Sequence, residues 1–114
     1  MITKFKIFEV RWDTYQDSPL IEDLEIGDYV ICYEQMELIR DFISNNVGQY
    51  VMDRGFDEKF RYLIKYENIP TSISDYLTDD GNKNCRRMAS YEIVKWSKNK
   101  EELEAELAAK KYNL

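Results

Sequence analysis

The chain has 114 residues, 44 % of them apolar and 33 % charged, which is typical of one folded domain rather than of a disordered segment. It contains no histidine, which excludes Ser-His and Cys-His nucleophile pairs and removes the usual zinc ligand. No uncharged run is long enough to cross a bilayer, and no signal peptide is visible. The two isolated cysteines, Cys32 and Cys85, are therefore predicted to be reduced thiols of a cytoplasmic protein.

The first part of the chain predicts two strands. Residues 4–12, KFKIFEVRW, are rich in β-branched and aromatic residues and precede the polar stretch 13–19, which is predicted to be a loop. The second strand, 29–34, follows Gly27 and Asp28. Glycine adopts a positive φ without steric cost, and aspartate accepts hydrogen bonds from nearby amides, so this pair predicts a tight turn into the strand.

A change of period predicts a helix over 35–46. Met36, Ile39 and Ile43 recur at the spacing of one helix face, and two asparagines followed by a glycine end the pattern. Residues 48–52 then form a short candidate strand.

The middle of the chain predicts one further strand and two connections. Residues 59–67, KFRYLIKYE, alternate with period two and predict a strand. Residues 71–77 are expected to form one helical turn, and 78–84, TDDGNKN, a turn or exposed loop. An EF-hand calcium loop is rejected, because Tyr76 and Arg87 stand where that motif requires acids.

The last part of the chain predicts a strand and a helix. Residues 86–96, RRMASYEIVKW, are predicted to form one continuous strand. Asn99 stands at the N-cap position of a helix over 99–111, in which Leu103 and Leu107 lie one turn apart and lysines come last. We expect this helix to pack on the domain surface through a narrow apolar stripe.

Acidic charge is concentrated in the first half of the chain, where residues 13–39 contain no lysine or arginine. Such a face repels nucleic acid and attracts a basic protein surface. The alternative interpretation is that the acids only keep a small protein soluble. The predicted protein-binding face consists of Asp13, Asp17, Glu22, Asp23, Glu25 and Asp28.

Basic charge is concentrated in residues 83–100, where Glu92 is the lone acid. This segment is the alternative binding site, for a nucleic acid or nucleotide, and in it Tyr91 or Trp96 would stack on a nucleobase. A solvated strand edge is the competing interpretation of the same residues. The predicted phosphate-binding residues are Lys83, Arg86, Arg87 and Lys95.

The only candidate catalytic residues are carboxylates, and the adjacent pair Asp79 and Asp80 is the clearest candidate. Two acids beside a glycine and an asparagine are more typical of a turn than of an active site. We therefore expect that the protein is not an enzyme and that it has no cofactor and no metal.

Two stretches resemble a known class of domain. The turn and strand EIGDYVICYE (25–34) and the strand YLIKYE (62–67) are similar to small barrels of the Src-homology-three type, including proteins of phages and mobile elements that end in a tail like WSKNKEELE. The resemblance covers 24–96. It implies a domain that binds proteins, peptides, nucleic acids or small ligands and is rarely an enzyme, and it assigns no site residues.

We predict a single domain over 1–114 that is mainly β with helices, in the α+β class. Residues 1–96 are expected to form a small barrel-like or strongly twisted antiparallel sheet with a short helix inserted near 35–46, and 99–111 the C-terminal helix. The alternative is a mixed sheet with helices on one face.

The predicted function is that of a small non-enzymatic binding protein, encoded by a phage or mobile element. It would act stoichiometrically on a host protein, for example as an inhibitor of a host defence system, through an acidic, tyrosine-rich surface. The alternative is a nucleic-acid or nucleotide binder. We expect no membrane association, and homo-oligomerisation stays open.

Overall fold

The computed structural model describes residues 21, 23–55 and 57–112. The strand predicted over 4–12 and the loop predicted after it lie outside these residues. Within them the elements follow one another as β1 (Tyr29–Cys32), α1 (Glu37–Ser44), β2 (Gly48–Asp53), β3 (Tyr62–Lys65), a 3₁₀ helix (Thr71–Tyr76), β4 (Thr78–Asp79), β5 (Asn82–Lys83), β6 (Cys85–Met88), a 3₁₀ helix (Ser90–Glu92), β7 (Ile93–Ser97) and α2 (Lys100–Tyr112).

The fold is an α+β fold, as predicted, with a short helix inserted between strands and a helix at the end of the described chain. Its 5-stranded antiparallel sheet has the order β6-β3-β2-β1-β7, and β4 and β5 form a separate hairpin. Within the described residues, the edge strands β6 and β7 form no ladder with each other, so this sheet is open and does not close into a barrel.

The open sheet is nevertheless not flat. If it were flat, its two edge strands would lie about 19 Å apart, at about 4.8 Å per strand. The chain leaves β6 at Met88 and enters β7 at Ile93, a path that reaches at most about 18 Å when fully extended and is shortened by the 3₁₀ helix within it. Register shifts between Ile31 and Cys32 in β1 and between Tyr50 and Met52 in β2 add local twist, as bulges do.

The prediction of a single strand over 86–96 was wrong. The chain instead turns a corner after Met88, through the 3₁₀ helix Ser90–Glu92, and the two halves become opposite edges of the sheet. The Glu92 side chain holds this corner, because its Oε1 accepts a 2.9 Å hydrogen bond from the backbone N–H of Ala89. The β-rich composition on both sides of the corner concealed this break.

The turn predicted before β1 is confirmed. Gly27 has a φ of 104°, and the Asp28 carboxylate accepts a 2.9 Å hydrogen bond from the backbone N–H of Glu25. The predicted loop over 78–84 contains the hairpin of β4 and β5. Asp80 and Gly81 at its tip both have positive φ, 50° and 86°, as a two-residue type I′ turn requires.

The core lies between the sheet and α1. Ile39 and Ile43 face the sheet from α1, and Gly48 lets β2 approach Tyr66, since a Cβ at Gly48 would lie 2.8 Å from the Tyr66 ring. The core residues contributed by the strands and their ends include Val30, Cys32, Tyr50, Tyr62, Ile64, Tyr66, Met88 and Ile93.

Helix α2 is anchored by one leucine. Leu103 is 1 % exposed and Leu107 is half-buried, and Asn99 caps the helix by accepting a 3.0 Å hydrogen bond from the backbone N–H of Glu101. The predicted cap and apolar stripe are thus confirmed. In the part of the chain that the structure describes, no helix has the length and apolarity needed to span a membrane.

Candidate functional site

A pocket of about 340 Å³ opens beside β6 and the hairpin of β4 and β5. The end of β1, the connection between β2 and β3, and both 3₁₀ helices also contribute to its lining. The acids of its lining are Glu34, Glu58, Asp79 and Glu92. The bases are Lys59, Arg86 and Arg87, and the remaining side chains are Phe60, Tyr76, Thr78 and Cys85.

Glu34 and Arg86 form a two-pronged ion pair in the wall of this pocket. The Arg86 Nε and Nη2 atoms donate to the two carboxylate oxygens of Glu34 at 2.6 and 2.9 Å. The third guanidinium nitrogen, Nη1, donates to the carbonyl oxygen of Tyr76 at 3.2 Å. Arg86 therefore has each of its nitrogens engaged, and its charge is neutralised by a carboxylate that is almost fully buried.

Arg87 is also paired. Its Nε donates to Asp79 Oδ1 at 2.8 Å, and its Nη1 lies 3.7 Å from Glu58. The other oxygen of Asp79, Oδ2, is buried and has no hydrogen-bond partner among the described residues, and Arg54 Nη1 lies 4.0 Å from it. One carboxylate oxygen at the pocket is therefore left without a donor.

Glu92 is the acid of the pocket that has no cation of its own. It is 5 % exposed, and within the described residues its carboxylate forms no ion pair and accepts one hydrogen bond, from Ala89. Burial raises the pKa of Glu92, and the nearby charge of Glu34 raises it further, whereas the Ala89 N–H, Arg86 and Lys59 lower it. An ionised Glu92 is thus a buried charge that a cation in the pocket would stabilise.

Three exposed aromatic side chains, which we call the aromatic rim, lie in or next to the pocket. Phe60 and Tyr76 line it and are each 40 % exposed, and Tyr91 nearby is 54 % exposed. The Lys59 ammonium lies 5.4 Å from the centre of the Phe60 ring and 5.6 Å from that of Tyr91. Both distances are within the range of cation–π contacts, so Lys59 links the two rings.

The predicted phosphate-binding residues do not converge on one surface. Arg86 and Arg87 are neighbours on β6, but both are paired with pocket carboxylates. Lys83 lies on β5, and Lys95 lies on β7 at the opposite edge of the sheet, where it pairs with Glu106. Of the two residues proposed to stack on bases, Tyr91 is exposed and Trp96 packs partly against the core.

The predicted acidic face is described only in part. Asp13, Asp17 and Glu22 lie outside the described residues, and Asp23 is exposed. Glu25 is exposed and pairs with Lys98 at 2.6 Å, and Asp28, 5 % exposed, accepts hydrogen bonds from Lys98 and the Glu25 amide. Asp28 therefore holds the turn before β1 instead of offering a free carboxylate to a partner.

Sequence reasoning did not identify the pocket or its residues Glu92, Phe60 and Tyr76 as a site. One signal was present, since Glu92 is the lone acid of the basic segment 83–100. However, other residues that line the pocket with Glu92, such as Glu34 and Phe60, come from segments far away in the sequence.

The described residues favour neither a metal centre nor a reactive thiol. They contain no group of three or more side chains that could hold a metal ion. Both cysteines are free and buried. Burial raises the pKa of Cys32 to about 12 and also raises the pKa of Cys85, so neither thiol is activated as a nucleophile.

Comparison of the chain with protein-family models, curated proteins and solved structures finds no match.

Proposed function

We propose that this chain is a small non-enzymatic binding protein that acts stoichiometrically on a protein partner, with the pocket and its aromatic rim as the contact surface. The observation that carries this proposal is a pocket whose lining has four acids and three bases and includes two exposed rings, Phe60 and Tyr76. Aromatic residues beside a concave site are frequent centres of protein–protein contacts, because they bury a large apolar area on binding.

The charge and size of the pocket favour a basic partner surface. Its lining has more carboxylates than cations, and the whole chain has a net charge of −6. A volume of about 340 Å³ is at the lower end of the range for ligand sites, which suits a single inserted side chain. Complementary charge would also speed the encounter with such a partner.

Nucleic-acid binding has less support. Phosphate contacts need free cations, and Arg86 and Arg87, the two central residues of that hypothesis, are engaged by Glu34 and Asp79. That alternative is kept as an outcome of the experiment below.

The chain has a proposed origin, and its partner a proposed identity. The stretches EIGDYVICYE and YLIKYE resemble Src-homology-three-type proteins of phages and mobile elements. This resemblance supports the proposal that the chain is a phage or mobile-element product, that its partner is a host protein, and that it inhibits a host defence system. Identification of the captured partner tests this part directly.

The experiment is a pull-down from a bacterial lysate with the tagged protein, with and without nuclease, at low and high salt. The wild type is compared with the double variant Phe60→Ala/Tyr76→Ala and with Tyr33→Ala, which removes an exposed aromatic ring that is not part of the pocket lining. Circular dichroism confirms that the variants fold.

We expect one stoichiometric protein that survives nuclease, that the Tyr33 variant still captures and that the rim variant loses. Equal capture by the rim variant would remove the pocket as the contact surface. Capture of nucleic acid alone, lost at high salt, would overturn the proposal in favour of the basic segment 83–100.

A further inference from the structure

One cation of this protein already sits on the aromatic rim of the pocket. The Lys59 ammonium lies within cation–π distance of both Phe60 and Tyr91, which come from the connection between β2 and β3 and from the 3₁₀ helix Ser90–Glu92. Two rings from distant parts of the chain thus bind one ammonium group. The geometry shows that this rim can accept an organic cation, since one is there.

The lining of the same pocket also contains a carboxylate with no directly bonded cation among the described residues. Glu92 is nine-tenths buried, lines the same pocket, and forms no ion pair within the described residues. The Arg86 guanidinium is taken by Glu34, and Arg87 by Asp79, so neither lining arginine is free to neutralise Glu92. An ammonium or guanidinium group entering the pocket would meet this carboxylate and form a charge-assisted hydrogen bond.

We propose that Phe60, Tyr91 and Glu92 together form a site for one organic cation, a lysine or arginine side chain of the protein partner, and that Lys59 occupies the aromatic part of this site when the partner is absent. Lys59 is then an intramolecular competitor that the incoming side chain displaces. The identity of the cation as a partner's side chain rests on the proposed function; the existence of the cation site does not.

Two features of the chain support a displaceable Lys59. Its side chain is exposed, and within the described residues it forms no ion pair that would hold it in place. Cation–π contacts at exposed sites are weak, so a ligand that also forms a hydrogen-bonded ion pair with Glu92 gains an interaction that Lys59 lacks.

The experiment is an NMR titration of the ¹⁵N-labelled protein with Nα-acetyl-arginine amide, and with the citrulline analogue, which has the same shape but no charge. Four variants are compared with the wild type. Lys59→Met and Glu92→Gln alter the site, whereas Lys83→Met and Glu101→Gln are controls at exposed positions outside the pocket lining. The Gln side chain can still accept the Ala89 N–H hydrogen bond, so the corner of the fold is retained.

We expect saturable shifts at pocket residues with the arginine amide and none with the citrulline amide. Lys59→Met should tighten binding roughly two- to five-fold, because the internal competitor is gone. Glu92→Gln should weaken it at least about five-fold, and the controls should leave it unchanged. The gain in Lys59→Met should persist at about 0.5 M salt, where long-range repulsion is screened.

Equal binding of the two amides, or no saturable shift up to about 50 mM, would overturn the cation site. Unchanged or weaker binding in Lys59→Met would overturn the competitor role. A partner captured through the rim without arginine-amide binding would leave the proposed function standing and remove the cation site. Binding of the amide without capture of a partner would retain the site and overturn its assignment to a protein ligand.

Discussion

Glu34 and Arg86 are joined by two hydrogen bonds of 2.6 and 2.9 Å, although they lie 52 positions apart in the chain. Glu34 also accepts a 2.9 Å hydrogen bond from the Met36 amide at the start of α1, and Arg86 donates to the Tyr76 carbonyl. The pair therefore ties the end of β1 and the start of α1 to β6 and to the 3₁₀ helix Thr71–Tyr76.

The two members of this pair are expected to respond differently to substitution. Arg86→Met leaves a buried, unpaired carboxylate and should lower the free energy of unfolding by about 3 kcal/mol. Glu34→Gln should cost less, because the Arg86 side chain is 26 % exposed and water can solvate the remaining charge. Urea denaturation measures both. Arg87→Met breaks a more exposed pair and is the control, which should cost about 1 kcal/mol. If Arg86→Met lost no more stability than Arg87→Met, the prediction would be contradicted.

Asp28 is expected to stabilise the turn before β1. Asp28→Ala removes the acceptor for the Glu25 amide and for Lys98, and should lower the free energy of unfolding by about 1–2 kcal/mol. Glu25→Ala, at the exposed end of the same ion pair, should change it by less than about 0.5 kcal/mol. Thermal unfolding of the two variants checks this difference. If both variants are as stable as the wild type, Asp28 is free to act as part of a binding face.

Helix α2 should depend on a single leucine for its attachment. Leu103→Ala removes the one fully buried leucine of the helix and should cost about 2–4 kcal/mol, whereas Leu107→Ala, at a half-buried position, should cost clearly less. Chemical denaturation followed by circular dichroism provides both values. Similar losses at the two positions would mean that the helix packs differently from the structure.

The pH dependence of stability should report the burial of Glu92. Because burial raises the pKa of Glu92 in the folded state, folding favours the protonated acid. Its contribution to stability is therefore fully present below the pKa of the unfolded chain and is lost as the pH rises through the higher folded value. The unfolding free energy of the wild type minus that of Glu92→Gln should fall as the pH rises above about 4, the pKa of an unfolded glutamate, and through the higher folded value. A constant difference would show that Glu92 is solvated, and a rising difference would show that the folded protein stabilises the ionised carboxylate; either result would contradict the prediction.

The two thiols should differ in accessibility. Cys85 lines the pocket, whereas Cys32 lies in the core with a pKa raised to about 12. With Ellman's reagent, we expect slow modification of native protein at Cys85 first, and both thiols to react once the protein is unfolded. Cys85→Ala should make the native protein almost unreactive. Rapid reaction of this variant would indicate that the core opens readily.

The local parts of this fold could be predicted from sequence. The turn at Gly27 and Asp28, the core face of α1 with Ile39 and Ile43, and the cap at Asn99 each depend on residues a few positions apart. Local steric and hydrogen-bonding rules are sufficient for such features.

The corner between β6 and β7 and the pocket could not be predicted in this way. The corner requires that Glu92 turn inward to the Ala89 amide, although the surrounding residues have strand-like composition. The pocket requires that Glu34, Phe60, Tyr76 and Glu92 meet, which depends on the strand order and not on any local pattern.

The position of β7 next to β1 has a consequence for biosynthesis. Strand β1 is hydrogen-bonded on one side to β2, which follows it closely, and on the other side to β7, the last strand of the described chain. A nascent chain therefore leaves the ribosome with one edge of β1 unpaired until residue 97 has emerged. Completion of the sheet is a late, non-local event, and incomplete chains present that edge to chaperones or to one another.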